Sequence, residues 1–331
     1  MTAKFPYELL TRNEIIQQLN HLSAGQIPFL FIIDYKAESG FVIPADKINN
    51  DFVRYNFSSS DKKEKSKNNQ KIVWDVSPVS FNDYEKKFNK VVNQIQRGNS
   101  FLVNLTQPSN INTNLSLFEL YTKSKAKYKL WLKDQFTVLS PESFVKINNG
   151  KIWSFPMKGT IDGSIVNAEN IILDDIKEKA EHATIVDLIR NDLSLVAKNV
   201  KVIRYRYIDE LQTNKGKLLQ VSSEICGDLA DNYHEKLGDI IFALLPAGSI
   251  SGAPKPKTME IIENVENYDR GFYTGIFGYF DGKTLDSAVM IRFIEQMNGG
   301  LVFKSGGGIT SKSNVQSEYQ ELIQKVYAPI H

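Results

Sequence analysis

The sequence predicts an α+β fold in one large domain. Three observations predict it. Strand-like and helix-like segments fall in separate runs instead of alternating, which argues against a doubly wound parallel sheet. No Gly/Pro/Ser-rich stretch of domain-joining length interrupts the 331 residues, and no internal repeat is visible. Apolar residues make up 42% of the chain, ample for a large core.

The elements follow in order. Residues 28–43, PFLFIIDYKAESGFVI, are rich in β-branched and aromatic residues and read as two strands around a turn. Residues 58–71, SSSDKKEKSKNNQK, are charged and aperiodic and read as a surface loop; no aromatics interleave with the lysines, as a nucleic-acid groove would require. Residues 80–100 form an amphipathic helix. Ser80 or Asn82 caps it, Phe88, Val91, Val92 and Ile95 make its stripe, and Gly98 ends it. FLVNLTQP (101–108) reads as a strand, and YKLWLK, FTVL, SFVKI and KIWSF continue the run, the last two around Asn149-Gly150. The period then changes. Residues 177–199 predict a long helix with Ile185, Leu188, Ile189 and Leu193 on one face. KLLQVSSEICGDL reads as a strand, HEKLGDIIFALLP as a helix stopped by Pro246, and KPKTMEIIENVE as another helix. GIFGYFDG, DSAVMIRFIEQM and LVFKSG read as three strands, the last two joined by Asn298-Gly299-Gly300, and NVQSEYQELIQKVYAP closes the chain as a helix.

Composition excludes several classes. A net charge of +2 argues against a polyanion as main partner. The single cysteine, Cys226, excludes a disulfide framework and fits a reducing compartment. The first twenty residues show no basic segment followed by an apolar one, so no secretory signal is expected. No apolar run approaches the roughly 18–20 residues a membrane helix needs. The expectation is a soluble, cytoplasmic protein.

Five stretches carry possible chemistry. KSGGGITSK (304–312) precedes the last helix, and its glycine run allows backbone N–H groups to converge on an anion or simply makes a turn after an edge strand. Glu318 and Glu321 share a face of the last helix, with Lys325 one turn on; they are either a solvated face or a pair awaiting a cation such as Mg²⁺. Glu181-His182 opens the long helix, and Asp187 falls on roughly its opposite side, while Arg190-Asn191-Asp192 reads as a buried structural network. PAGSISGAPKPK (246–257) fails the P-loop pattern but offers a small-residue loop for close approach to a ligand. Lys158, in FPMKGTIDG, stands between an apolar run and a turn; burial or a neighbouring cation would lower its pKa and free the amine, with Glu142 as a general acid in the same pocket. Together they point to a magnesium-dependent enzyme acting on a carboxylated small molecule.

In order, SPESF, PMKGT, EHATIVDLIRND, GSISGAPK, GIFGYF, VMIRF, SGGGI and SEYQE resemble the motifs of the chorismate-utilising enzymes, which comprise anthranilate, aminodeoxychorismate, isochorismate and salicylate synthases. The resemblance is strong from about residue 80 onward and weak over the first 75. It implies a single α+β domain of two packed β-sheets with helices outside and the site in a cleft between them. Residues 1–75 would be a shortened N-terminal part and residues 76–331 the catalytic core. It implies Mg²⁺, with Glu181, Glu321 and Glu318 as ligands, and substrate held by Ser249, Tyr279, Arg292, Lys325 and the amides of Gly306, Gly307 and Gly308. Gln220 stands where the family commonly has histidine, and Gln donates a hydrogen bond without carrying a proton.

PMKGT resembles the aminodeoxychorismate-forming branch, in which a lysine amine attacks C2 of chorismate as the C4 hydroxyl leaves, and ammonia then attacks C4 and expels the lysine. By that resemblance Lys158 is the nucleophile and Glu142 the acid. Leu102 occupies the position where water-adding members carry a lysine base. The shortened N-terminus implies no tryptophan feedback. No Cys-His-Glu glutaminase set is present, so the resemblance implies a separate glutamine amidotransferase subunit as the ammonia source. The near alternative is an anthranilate synthase component I. A pyridoxal-phosphate enzyme with Lys158 as Schiff base is a distant one, and an anion-binding module with a vestigial site is a third.

Overall fold

A computed structural model describes residues 4–57, 72–213 and 216–327. The lysine-rich stretch 58–71 lies outside the described residues. Two antiparallel sheets carry the fold. The first has ten strands, in the order Leu10–Thr11, Ser39–Pro44, Phe29–Ile33, Ile276–Phe280, Leu285–Val289, Ser143–Asn148, Lys151–Ser154, Gly216–Asp228 and Met157–Asp162, with Lys198–Thr213 also paired to Gly216–Asp228. The second has eight, in the order Gly252–Ala253, Leu102–Thr113, Gly300–Ile309, Phe293–Met297, Phe136–Ser140, Tyr128–Leu132 and Val53–Asn56, with Trp74–Ser77 also paired to Leu102–Thr113.

The strand Phe29–Ile33 is apolar at every position because both its faces are covered. Phe29, Phe31 and Ile33 belong to a core shared with the helices, while Leu30 and Ile32 join Leu130, Phe136, Phe277 and Phe293 in a second core fed by strands of both sheets. Alternation with period two thus sends one strand's side chains into two cores. The helices Phe81–Gln96 and Lys255–Glu266 pack on each other, and the first also meets Val315–Gln324. Ser80 caps Phe81–Gln96 as its side chain accepts from Asp83 N at 3.2 Å. Asn149 and Gly150 turn the hairpin between Ser143–Asn148 and Lys151–Ser154 with φ of 51° and 71°, the left-handed pair a two-residue turn requires.

Three elements differ from the sequence reading. The glycine run is neither a turn nor the end of an edge strand: Gly306, Gly307 and Gly308 continue the strand Gly300–Ile309 opposite Thr106, Leu105 and Asn104. Residues 286–297 are not one strand. Leu285–Val289 lies in the first sheet and Phe293–Met297 in the second, and the chain crosses between them at Arg292, whose φ is 53°. The strand Lys198–Thr213 was not anticipated, although its long pairing with Gly216–Asp228 makes it the longest strand in the fold. Among the described residues no helix is long and apolar enough to cross a membrane.

Candidate active site

The site lies where chain segments leave one sheet for the other. Phe136–Ser140 belongs to the second sheet and Ser143–Asn148 to the first, and Glu142 sits in the crossing between them. The crossing at Arg292 runs alongside: Val289 N donates to Glu142 O at 3.2 Å, and Leu139 N donates to Arg292 O at 3.1 Å. Both polar side chains line one cleft of about 420 Å³, joined there by Lys158, Glu181, Ser249, Lys325 and Gly306–Gly308.

Lys158 reaches the cleft through a β-bulge. The register between Met157–Asp162 and Gly216–Asp228 shifts between Met157 and Thr160, so Lys158 and Gly159 together oppose one residue. Gly159 takes φ of 79°, and a Cβ there would stand 2.9 Å from Glu178 Oε2. A bulge re-aims the side chain it carries, and here it carries the lysine. Lys158 Nζ lies 2.8 Å from Glu181 Oε2, with the two side chains 27% and 9% exposed. Burial pulls the amine's pKa down, but the charge and hydrogen bond of Glu181, with Glu321 and Glu178 beyond, hold it above its ordinary value. The sequence reading expected an uncharged amine. In this structure the neighbours of Lys158 are acids and not cations, and they favour its charged form.

Glu142 has the opposite environment. Burial raises its pKa, against the lowering effect of a hydrogen bond from Ser249 and of the charges of Lys325 and Lys158. Ser249 Oγ donates to Glu142 Oε1 at 2.5 Å from the short helix Gly248–Ser251. A carboxyl whose proton is held more tightly than usual at the wall of a cleft has the character of a general acid.

The last helix supplies the third wall. Lys325, at its C-terminal end, lies 2.7 Å from Glu321 Oε1 and donates to Gly306 O at 2.9 Å, while Arg292 Nη1 donates to Lys325 O at 3.0 Å. Glu318 is buried and accepts from Ser313 Oγ at 2.8 Å. A Cβ on Gly307 would stand 3.5 Å from Glu318 Oε2 and 3.9 Å from Glu321 Oε1, so its absence leaves the space where those two carboxylates converge. A Cβ on Gly308 would stand 3.9 Å from Lys158 Nζ and 2.9 Å from Leu102 Cδ1. The glycines therefore act here by giving up side-chain volume.

Four predicted residues are not among those lining the cleft: Glu318 and Glu321, which stand beside Gly307, and Tyr279 and Gln220, which lie farther off. Tyr279 stacks on Tyr55 with ring centroids 5.2 Å apart, against the core between the sheets. Gln220 lies in the strand Gly216–Asp228 opposite Thr160 and Asp209 and is not among the residues lining the cleft. The tyrosine that lines it is Tyr273, six residues earlier, buried and with its pKa raised chiefly by burial. Phe101, Asn104 and Thr184 also line the cleft without having been singled out in the sequence, and so does Thr310–Lys312, the end of the KSGGGITSK stretch, to which no contact was assigned. A tyrosine followed by Thr-Gly and one followed by Phe-Asp carry no local signal that tells them apart. The Arg190-Asn191-Asp192 cluster is not a buried network throughout: Arg190 pairs with Asp187 at 2.7 Å on the surface, and only Asp192 turns inward.

Residues 32–331 match the family model described as chorismate binding enzyme. The chain belongs to that family. It is 48% identical over 320 residues to an uncharacterized PabA-like protein of Haemophilus influenzae, covering 97% of this chain and 98% of that one. It is 33% identical over 266 residues to aminodeoxychorismate synthase component 1 of Salmonella typhimurium, covering 75% of this chain and 57% of that protein. It is 32% identical over 270 residues to anthranilate synthase component 1 of Mycolicibacterium smegmatis, covering 75% and 50%. The chain thus spans about half the length of these two relatives. Among solved structures, the menaquinone-specific isochorismate synthase of Escherichia coli superposes with a TM-score of 0.72 at 14% identity, covering 96% of this chain and 82% of that one. That likeness is one of fold.

Proposed function

We propose that this member of the family converts chorismate and ammonia to 4-amino-4-deoxychorismate, serving as component I to a separate glutamine amidotransferase. The observation that supports the reading is Lys158, which a glycine bulge carries to the cleft that Glu142, the other group the reaction needs, also lines. The lysine amine, once its proton has passed to solvent, forms a bond to C2 of chorismate; both ring double bonds shift, C1=C2 to C1=C6 and C5=C6 to C4=C5, and the C4–O bond breaks. Glu142, protonated in its buried position, gives its proton to the departing oxygen, which leaves as water. Ammonia then bonds to C4, both double bonds shift back, and the C2–N bond breaks, the departing lysine nitrogen taking the proton that the added ammonia gives up. Arg292 and Lys325 supply positive charge for the substrate carboxylates, and Leu102 offers no base for adding water at C2.

Magnesium fits the acidic residues. Glu181, Glu318 and Glu321 would hold it, all of them oxygen donors, and Gly307 leaves room where two of them converge. Among the described residues no three acidic side chains are yet gathered closely enough to hold a metal, since Glu181 faces Lys158. Bound there, the ion would neutralise and orient the ring carboxylate.

The test is product analysis with chorismate, Mg²⁺ and ammonium, coupled to an aminodeoxychorismate lyase. The wild-type chain is expected to yield 4-aminobenzoate, and Lys158→Ala none, with anthranilate leaking in its place. Fluorescent anthranilate as the main wild-type product would replace this reading with anthranilate synthesis.

A further inference from the structure

Two stretches of the sequence remain without a use in the cleft, Arg190-Asn191-Asp192 and Gly252-Ala253-Pro254-Lys255. The fold joins them. Lys255 Nζ stands 2.7 Å from Asp192 Oδ2, and the two side chains are 16% and 15% exposed, so the pair is sheltered but touches solvent. Lys255 Nζ also donates to Leu244 O at 2.9 Å, which fixes the cation. Asp192 Oδ2 lies against Gly248, where a Cβ would stand only 3.0 Å away, and the next residue, Ser249, is the one that donates to Glu142.

Between these groups lies a second cavity of about 30 Å³, lined by Glu142, Ser143, Ser154, Asp192 and Ser249 among others. It is far smaller than the cleft yet large enough for a water molecule, and it offers the several polar partners a buried water needs. It shares Glu142 and Ser249 with the cleft. Glu142 therefore has substrate space on one side and a small polar chamber on the other, with Asp192 at the chamber's edge.

We propose that this chamber is the proton inlet of the site, where water reprotonates Glu142 and Asp192, held by Lys255, resupplies that water from solvent. The inference rests on Glu142 acting as the general acid. After each dehydroxylation Glu142 is left a carboxylate with the substrate covering its cleft side. An O–H bond then forms on Glu142 as one on the chamber water breaks. That water takes a proton from the Asp192 carboxyl, which takes one from solvent or from a buffer acid. No oxidant, reductant or co-substrate is consumed. Burial raises the pKa of both carboxyls, against the lowering effect of Ser249 on one and Lys255 on the other, which brings them closer to a working proton donor than exposed acids are.

Asp192→Asn tests it. The amide keeps a hydrogen-bonding group toward Lys255 but carries no proton load. The expected result is a fall in kcat of about 10- to 100-fold with KM for chorismate unchanged, reversed progressively by formate or imidazole buffer at constant pH. A residue needed only for folding would not respond to buffer concentration. Ser154→Val, which fills the chamber from its other side, is expected to give the same loss without rescue. Wild-type kcat in Asp192→Asn, or a loss indifferent to buffer, overturns the inlet while leaving the main reaction standing. A wild-type chain that does not consume chorismate with ammonium sinks both together.

Discussion

Gly159 is the most economical place to separate the lysine's position from the stability of the fold. Its φ of 79° is left-handed, and a Cβ there would meet Glu178 Oε2 at 2.9 Å. Gly98 has nearly the same backbone, φ of 77°, with nothing within 4 Å of its missing Cβ. Alanine at either site costs about 1–2 kcal/mol for the left-handed conformation. Part of that, about 0.4–1 kcal/mol, is offset because alanine restricts the unfolded chain. The net loss is about 1 kcal/mol in both. The Glu178 contact adds little, since the carboxylate ends a side chain that can swing away. With an unfolding entropy of about 2.1 cal/mol/K per residue, a chain of 331 residues changes by about 0.7 kcal/mol per degree, so Tm falls by roughly 1–2 °C in each variant. Catalysis divides them. Gly159→Ala strains the bulge that aims Lys158, and a misplacement of about 1 Å costs on the order of 100-fold in rate. Gly98→Ala leaves the site untouched. The assay is kcat/KM for ammonium-dependent consumption of chorismate beside thermal melts of both variants. Full activity in Gly159→Ala, or equal losses in the two, would show that the bulge does not position the lysine.

Two further outcomes follow from the charges. Glu142 holds its proton to a higher pH folded than unfolded, so between those two pKa values the folded chain binds the extra proton and stability falls as pH rises. Glu142→Gln removes that penalty: its Tm advantage over wild type should be near zero at pH 4 and grow toward pH 8, whereas a pH-independent difference would mean that the carboxyl titrates normally. For the metal, dialysis against EDTA should abolish turnover and added Mg²⁺ restore it, and Glu321→Gln should raise the Mg²⁺ needed for half-activity at least several-fold; undiminished turnover in EDTA would remove the cation from the site.

Much of the fold could be read from the chain because local chemistry and tertiary need coincide. Asn149-Gly150 is a turn wherever it occurs between alternating strands, and Ser80 before Phe81–Gln96 caps as its side chain allows. The failures lie where tertiary structure overrides the local pattern. Nothing in Val289-Met290-Ile291-Arg292-Phe293 resembles a break, and no glycine or proline marks it, yet the chain changes sheets there at a left-handed arginine. A triple glycine would ordinarily weaken a strand. Here pairing with Leu102–Thr113 holds it extended, and the missing side chains make room for Lys158 and the acidic pair. The motifs drew attention to Lys158, Glu142, Glu181 and Arg292, and folding does bring these four to one cleft. The charge of Lys158 was not legible, because it depends on Glu181 and Glu178, acids from a helix that only folding brings near.

The two crossings also bear on why the polar groups of the cleft stand where they do. A residue within a sheet has its backbone committed to ladder bonds on both sides and its side chain directed to one face or the other. A residue in a sheet-to-sheet crossing is released from that rule. Glu142 and Arg292 each occupy such a crossing, and their backbones support one another through the bonds from Val289 to Glu142 and from Leu139 to Arg292. The irregular backbone is thereby satisfied without a ladder, as a buried polar group must be. Lys158 gains similar freedom by other means, through the bulge at Gly159. Three side chains aimed into one cleft thus come from three local departures from regular pairing, each anchored at both ends by strands of a packed sheet. That arrangement allows precise placement without a flexible loop, and it explains why the cleft lies at the seam between the sheets and not on the outer face of either.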